Sequence, residues 1–191
     1  MLLASLALLM GVPAAAQTPD VVRVSIVTTA GKIVVELDRA HAPVTTANFL
    51  RYVDAKRFDG TAFYRAMNLA ENFGLIQGGV RDPKFLYPAI AHEPTSVTGL
   101  RHGDGTISMA RGAPGTARAD FFITLGAMTS LDANPTGPDD NLGFAAFGRV
   151  VEGMDVVRTI LTGPTSPTEG AGVMRGQMLS PTVKILTARR G

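Results

Sequence analysis

The feature that most limits the fold of this chain is a series of short apolar runs, which recur from residue 21 to residue 187. In the first two runs every second residue is apolar: Val22, Val24 and Ile26, then Ile33, Val35 and Leu37. Successive side chains of a strand point to opposite faces, so this period predicts two strands that each bury one face. The Ala30-Gly31 pair between them supplies turn residues, and the two strands are predicted to form a hairpin.

The rest of the chain continues this pattern and adds two helices. Further apolar runs lie at residues 61–66, 73–77, 106–110, 121–125, 145–151 and 182–187. Helical spacing is found in two other places: Val44, Ala47, Leu50 and Val53 after Pro43, and Met154, Val157 and Leu161 after Gly153. About eight strands and two helices predict a mainly β protein, a barrel or a sandwich, with helices covering its open ends.

The composition excludes several kinds of chemistry. The chain has no cysteine, which rules out disulfide scaffolds, cysteine-ligated zinc and thiol catalysis. Its 18 Lys and Arg residues nearly balance its 16 Asp and Glu residues and form no basic block, so no nucleic-acid partner is predicted. His41, His92 and His102 lack the spacing of a metal site. We expect these histidines at surface or loop positions. We also expect that the protein uses no metal and no other cofactor.

The first 16 residues differ from the rest of the chain. Residues 1–16 are uncharged and apolar, and they end in small residues that include Ala14 and Ala16. This pattern predicts a signal peptide that is cleaved before Gln17, leaving a single domain of residues 17–191. A buried N-terminal helix is the alternative, but the segment has no amphipathic face. We therefore expect a soluble, exported protein that acts in the periplasm.

Six motifs in the predicted domain resemble those of one family. They are APVTTANFL (residues 42–50), FDGTAFYR (58–65), IQGG (76–79), GTISMAR (105–111), DFFI (120–123) and FGRVVEGMDVV (147–157). In this order they resemble the cyclophilin-type peptidyl-prolyl cis-trans isomerases. The resemblance implies a closed eight-stranded antiparallel β-barrel capped by two α-helices. It also implies an enzyme that speeds rotation about X-Pro bonds in unfolded or extended polypeptides, and we expect it to act as a monomer.

The resemblance also assigns site residues. Arg65 matches the arginine that donates a hydrogen bond to the prolyl nitrogen, and Gln77 matches the glutamine that orients that arginine and the substrate. Phe122 matches the floor of the proline pocket. The remaining candidates for substrate binding are Leu75, Phe73, Ala110, Arg111, Leu131 and Phe144. Residue types alone leave plainer alternatives, which are a surface arginine paired with a carboxylate and ordinary core side chains.

Two departures from the family pattern bear on function. Gly74 stands where the family generally has a phenylalanine of the pocket, in a segment longer than usual, and Phe73 could replace it through a β-bulge. Asp120 replaces the more usual glutamine. Because of Gly74 and the longer segment, we keep an alternative function, a peptide-binding module or holdase chaperone with weak or lost isomerase activity. A hydrolase on a similar barrel has little support, because no Ser/His/Asp set is evident in the sequence.

Overall fold

The computed structural model describes residues 20–137 and 140–191, so the predicted signal peptide lies outside the described residues. The strands are β1 Val21–Thr28, β2 Gly31–Asp38, β3 Ala62–Ala70, β4 Phe73–Gly79, β5 Thr106–Met109, β6 Phe121–Leu125, β7 Ala145–Glu152, β8 Thr165–Ser166 and β9 Met178–Arg190. The helices are α1 Pro43–Asp54, α2 Thr95–Thr98 and α3 Met154–Leu161. None of these helices has the length and apolarity needed to cross a bilayer.

Eight of the strands form a closed antiparallel barrel. Their order is β1-β2-β7-β5-β6-β4-β3-β9, and β9 pairs with β1 to close the sheet. The two-residue strand β8 adds to β9 on the outside of this circuit. The predicted barrel is confirmed, and the eight predicted runs correspond to its eight strands. The sequence pattern did not predict the short elements α2 and β8.

Aromatic side chains fill the barrel interior. The ring of Phe121 on β6 lies 5.2 Å from Phe49 of α1, 5.4 Å from Phe58 and 5.6 Å from Phe63, measured between centroids. All three contacts are edge-to-face, the arrangement that aromatic quadrupoles favour. The alternating valines, isoleucines and leucine of the first hairpin point into the same core, as their spacing predicts.

The orientation of helix α1 differs from the predicted one. The predicted apolar face included Val44 and Ala47, but both side chains are exposed. The helix instead buries Phe49 and Tyr52, together with Leu50 and Val53 of the predicted face. Because the two aromatic rings carry the most apolar area, they determine which side of the helix faces the core.

The N-terminus of α1 is capped by a residue far away in the sequence. The residue before the helix, Ala42, has no side chain that could accept a hydrogen bond. The carboxylate of Glu93 takes this role and accepts from the backbone N–H groups of Val44 at 3.0 Å and Thr45 at 2.7 Å. A negative charge is favoured at this end of a helix, where N–H groups lack intrahelical partners. Glu93 thereby ties the long connection between β4 and β5 to the barrel.

Candidate active site

A second apolar cluster lies on the other face of β6. Its buried members are Leu75, Phe122 and Met128, and the partly buried side chains packed against it are Met67, Phe73, Ala110, Leu131 and Phe144. Phe121 belongs to the barrel core, whereas its neighbour Phe122 belongs to this groove cluster. Adjacent side chains of a strand point to opposite faces, which places one phenylalanine in the core and the other in the groove.

The groove cluster borders a cavity of about 280 Å³ that brings most of the predicted site residues together. Its walls are Arg65, Met67, Leu75, Gln77, Ala110, Arg111, Phe122, Leu131, Phe144 and Met174. Two of these, Met67 and Met174, were not predicted. Methionine is common in cores and loops, so residue type gave no signal for either one.

Phe73, the candidate replacement for the missing pocket aromatic, is not among the residues that line this cavity. The strand β3 has a bulge between Asn68 and Ala70, opposite Phe73 and Gly74. Gly74 has φ of +156°, and a Cβ atom there would lie 2.0 Å from the carbonyl oxygen of Met67. The backbone therefore leaves no room for an aromatic residue at position 74. Phe73 packs against the groove cluster, and the neighbouring cavity wall is supplied by Met67.

Phe122 is held between two rings. Phe144 contacts it edge-to-face, with centroids 5.4 Å apart and an interplanar angle of 88°. The imidazole of His102 stacks on it at 5.9 Å and 15°. A buried ring fixed by two neighbours presents a rigid apolar surface to the cavity.

His102 lies in the loop before β5, as expected, but it is fully buried there and is not a surface residue. Its Nδ1 lies 2.6 Å from Oδ1 of Asp132, and its Nε2 lies 2.9 Å from Oγ of Ser108. A carboxylate can only accept, so Nδ1 carries the proton and Nε2 accepts from the serine hydroxyl. Burial lowers the pKa of His102, and the neighbouring Asp132 opposes this effect.

The fold thus assembles a Ser/His/Asp set that is not evident in the sequence. This set does not provide an accessible nucleophile. Ser108 and His102 have no exposed surface, and Asp132 is also buried. The set lies behind Phe122, on which His102 stacks. Its geometry supports the pocket floor, and substrate cannot reach the serine hydroxyl.

The guanidinium of Arg65 is held at several points. Its Nη1 donates to Oε1 of Gln77 at 2.8 Å, and its Nε donates to Oε1 of Gln177 at 2.9 Å. Its Nη2 lies 3.6 Å from the thioether sulfur of Met67, a weak acceptor. Burial lowers the pKa of Arg65, but a guanidinium remains charged in proteins. Among the described residues no carboxylate pairs with Arg65, which removes the alternative of a surface ion pair.

A chain of hydrogen bonds extends from Gln77 away from the cavity. Because Oε1 of Gln77 accepts from Arg65, its Nε2 donates to Oη of Tyr64 at 2.8 Å. The hydroxyl of Tyr64 then donates to Oδ2 of Asp120 at 3.1 Å. Burial raises the pKa of Asp120, while Tyr64 and the nearby Arg81 act in the opposite direction. The amide of Gln77 is thereby fixed in one orientation.

Arg111 lines the cavity, but its guanidinium is engaged within the protein. Its Nε donates to the carbonyl of Gly143 at 2.7 Å, and its Nη1 and Nη2 bind both carboxylate oxygens of Asp140 at 2.7 and 2.8 Å. This contact lowers the pKa of Asp140 to about 2. The Arg111 guanidinium carbon also lies 5.3 Å from the ring centroid of Phe144. Arg111 thus fixes the wall that Phe144 provides.

Fold and site together define a class of protein: a closed, helix-capped β-barrel with a cationic donor beside an apolar surface slot. Within the described ranges, no three side chains of metal-ligating type are placed to hold a metal ion. An arginine whose orientation is fixed beside a rigid aromatic floor suits binding of an apolar group next to a polar atom. This is the geometry that the resemblance to cyclophilins implies.

Comparison with known proteins gives the family. Residues 23–189 match the family described as cyclophilin type peptidyl-prolyl cis-trans isomerase/CLD. A peptidyl-prolyl cis-trans isomerase of Streptomyces antibioticus is 40% identical over 148 residues, which cover 75% of this chain and 85% of the relative. One from Acinetobacter baylyi is 37% identical over 142 residues, covering 73% and 71%. The chain belongs to the cyclophilin-type peptidyl-prolyl cis-trans isomerases and is an enzyme of that class.

Solved structures agree at the level of fold. A cyclophilin type peptidyl-prolyl cis-trans isomerase of Cryptosporidium parvum superposes with a TM-score of 0.70. The two sequences are 22% identical, and the match covers 90% of this chain and 98% of the other. A further structure of that protein, in the presence of the dipeptide Ala-Pro, has the same TM-score at 21% identity.

Proposed function

We propose that this isomerase accelerates the folding of exported proteins, with Arg65 as the donor to the prolyl nitrogen and Phe122 as the floor of the proline slot. The observation that carries the proposal is that Arg65 and Phe122 line one cavity. The relative that was crystallised with Ala-Pro supports a proline-containing peptide as the ligand of such a cavity. Proline-containing unfolded or extended polypeptides are then the partners.

The reaction needs only a lower rotational barrier. The cis and trans forms of an X-Pro bond differ by about 0.5–1 kcal/mol, but amide resonance imposes a barrier of roughly 18–20 kcal/mol. In the planar ground state the lone pair of the prolyl nitrogen is delocalised into the carbonyl group, and the nitrogen is a poor acceptor. In the twisted transition state the lone pair is localised. A donor aimed at this nitrogen therefore binds the transition state better than the ground state.

Arg65 has the properties of such a donor. Gln77 and Gln177 occupy Nη1 and Nε, while Nη2 contacts only a weak sulfur acceptor among the described residues. Nη2 is thus available to donate into the cavity. Because its orientation is fixed before substrate binds, little reorganisation is needed as the amide twists.

The apolar walls hold the ring while the preceding carbonyl rotates. Phe122 supplies the floor, with Leu75 and Leu131 among the adjoining walls. Burying the proline ring here stabilises the bound peptide without restricting rotation about the bond that precedes it. The side chains of the chain supply both parts of this mechanism, and no metal or other cofactor is required.

The test is the rate of exchange between cis and trans forms of a proline tetrapeptide, measured by NMR or by a protease-coupled assay. Arg65→Ala is expected to lower kcat/KM at least about 100-fold, the loss typical of removing a transition-state donor. Arg23→Ala is the matched control, because Arg23 is an exposed arginine of β1 that pairs with Glu36. Full activity of Arg65→Ala would contradict the mechanism.

The holdase alternative is tested with the same two variants. The holdase function would be favoured if the wild type and Arg65→Ala suppress aggregation of an unfolded client equally well and the wild type shows only background isomerase activity.

The location of the protein is tested separately. We propose a monomeric periplasmic enzyme whose mature chain begins at Gln17. The mass of the purified chain checks the cleavage site, its mass in solution checks the monomer, and fractionation of the cells checks the location.

A further inference from the structure

The loop that leads into β9 supplies a contact that the resemblance did not assign. Gln177 lies one residue before β9, and both the oxygen and the nitrogen of its side-chain amide make hydrogen bonds. Its Oε1 accepts from Nε of Arg65 at 2.9 Å, and its Nε2 donates to the carbonyl of Val173 at 2.9 Å. The two bonds fix which end of the amide faces the arginine. Gln177 is 112 positions from Arg65, so no local pattern links them.

The backbone places Gln177 beside Arg65. The carbonyl of Gln177 accepts from the N–H of Ala66 at 2.9 Å, and Met178 is the strand partner of Arg65. The loop closes through a bond from the N–H of Gly176 to the carbonyl of Glu169 at 3.0 Å. Gly176 has φ of +82°, a conformation that favours glycine. The position of the Gln177 side chain is therefore set by the barrel and by the loop together.

Two acceptors from different elements act on one guanidinium. A bond to Gln77 alone would leave Arg65 free to swing about that contact, because its side chain has several rotatable bonds. The second bond, to Gln177, holds another edge of the same planar group. Two fixed edges define the plane, and with it the direction of Nη2.

We propose that Gln177 is a positioning residue, which holds Arg65 in the orientation that donates to the prolyl nitrogen. The inference rests on the proposed role of Arg65. The same loop carries Met174, which is 37% exposed and lines the cavity. The loop therefore makes two separable contributions: Gln177 acts on the donor, and Met174 acts on the bound peptide.

The kinetic test compares variants within this loop. Gln177→Met keeps the length of the side chain but removes both the oxygen that accepts from Arg65 and the N–H that donates to Val173, so we expect kcat to fall about tenfold with KM nearly unchanged. Gln177→Glu keeps an acceptor for Nε and is expected to stay within about threefold of the wild-type kcat. Met174→Ala leaves the arginine contacts intact, and its effect is expected on KM. A wild-type kcat for Gln177→Met, or equal losses in Gln177→Met and Gln177→Glu, would overturn the proposal.

A spectroscopic test separates this inference from the proposed function. The Nε–H signal of Arg65, assigned by its loss in Arg65→Lys, reports the bond to Gln177 whether or not the arginine is catalytic. In Gln177→Met this proton should exchange faster with water and shift, whereas Gln177→Glu should keep it protected. An unchanged signal in Gln177→Met would overturn the positioning role. If the signal changes while Arg65→Ala keeps full activity, Gln177 does hold Arg65, and the failure lies in the proposed mechanism.

Discussion

Strand β6 separates two apolar regions that differ in how completely they are filled. On one face, Phe121 packs in the barrel core against rings from α1, β3 and the segment between them. On the other face, Phe122 packs in the groove cluster, one side of which borders a cavity of about 280 Å³. The core contains apolar and aromatic side chains, whereas hydrogen-bonded polar groups, among them His102 and Gln77, surround the groove cluster. Complete packing of the barrel core stabilises the fold, whereas the incomplete packing beside the groove cluster leaves room for a ligand.

The largest expected effect comes from truncating each of the two phenylalanines. Phe121→Ala is expected to lower the free energy of unfolding by about 3–5 kcal/mol, because it opens a cavity in a closed core. Phe122→Ala is expected to cost less, about 2–3 kcal/mol, because part of its surface already faces empty space. Denaturant titration of both variants measures the difference. Equal losses would mean that the groove cluster is packed as completely as the core.

Activity should rank the same pair in the opposite order. Phe122→Ala removes the proposed floor of the slot, and kcat/KM is expected to fall about 10- to 100-fold, since a large apolar contact with a ligand is worth roughly 1.5–3 kcal/mol. Phe121→Ala, assayed where it remains folded, should stay close to the wild type. A Phe121→Ala variant that is folded but as impaired as Phe122→Ala would contradict the division of roles between the two faces.

The contrast between these faces also shows what can be predicted from sequence. The opposite roles of Phe121 and Phe122 follow from strand alternation, which involves neighbouring residues. The buried face of α1 was only partly predicted, since tertiary contacts of Phe49 and Tyr52 outweigh the simple spacing of Val44. Local patterns suffice where the backbone geometry dictates which way a side chain points.

The polar parts of the site depend on contacts between distant segments. Ser108, His102 and Asp132 come from β5, the loop before it and the segment after β6. Gln177 meets Arg65 only because β9 pairs with β3. Such contacts are set by barrel closure, so composition and spacing gave no sign of them. Gln77 and Arg65 were identified through the family resemblance.

The second expected effect concerns Gly74, next to the groove cluster. Gly74→Ala is expected to destabilise the protein by about 1–3 kcal/mol, because the new Cβ atom would lie 2.0 Å from the carbonyl oxygen of Met67. Gly112→Ala is the matched control, since a Cβ atom there would meet its nearest neighbour at 3.5 Å. Thermal unfolding of both variants checks the prediction. A stable Gly74→Ala would show that the bulge can relax and that a pocket aromatic could be accommodated.

A third, smaller effect is a pH dependence of stability that arises beside the groove cluster, at His102, and not in the barrel core. Burial lowers the pKa of His102 below its ordinary value of 6.5, so the unfolded chain binds a proton more readily than the folded protein. Stability is therefore expected to fall as the pH drops through 6.5 toward the folded-state pKa, and to stop changing from this cause below it. His102→Gln should lack this part of the pH dependence of the free energy of unfolding, whereas Phe121→Ala should keep it. Denaturant titrations from pH 8 to pH 5 compare the three proteins. Parallel curves for the wild type and His102→Gln would contradict the prediction.

The smallest expected effect comes from Asp120, at the far end of the hydrogen-bond chain from Arg65. Burial raises its pKa above 3.8, so the folded protein binds more protons than the unfolded chain between 3.8 and the raised value. Stability is then lost as the pH rises through that window, and the charged carboxylate weakens the fold at neutral pH. Asp120→Asn keeps an oxygen that can accept from Tyr64 and removes the charge. We expect a gain of roughly 0.5 kcal/mol at pH 7 that disappears in acid, with unchanged isomerase activity. A loss of stability at pH 7 would instead mean that attraction between Asp120 and Arg81 outweighs the cost of burying the charge.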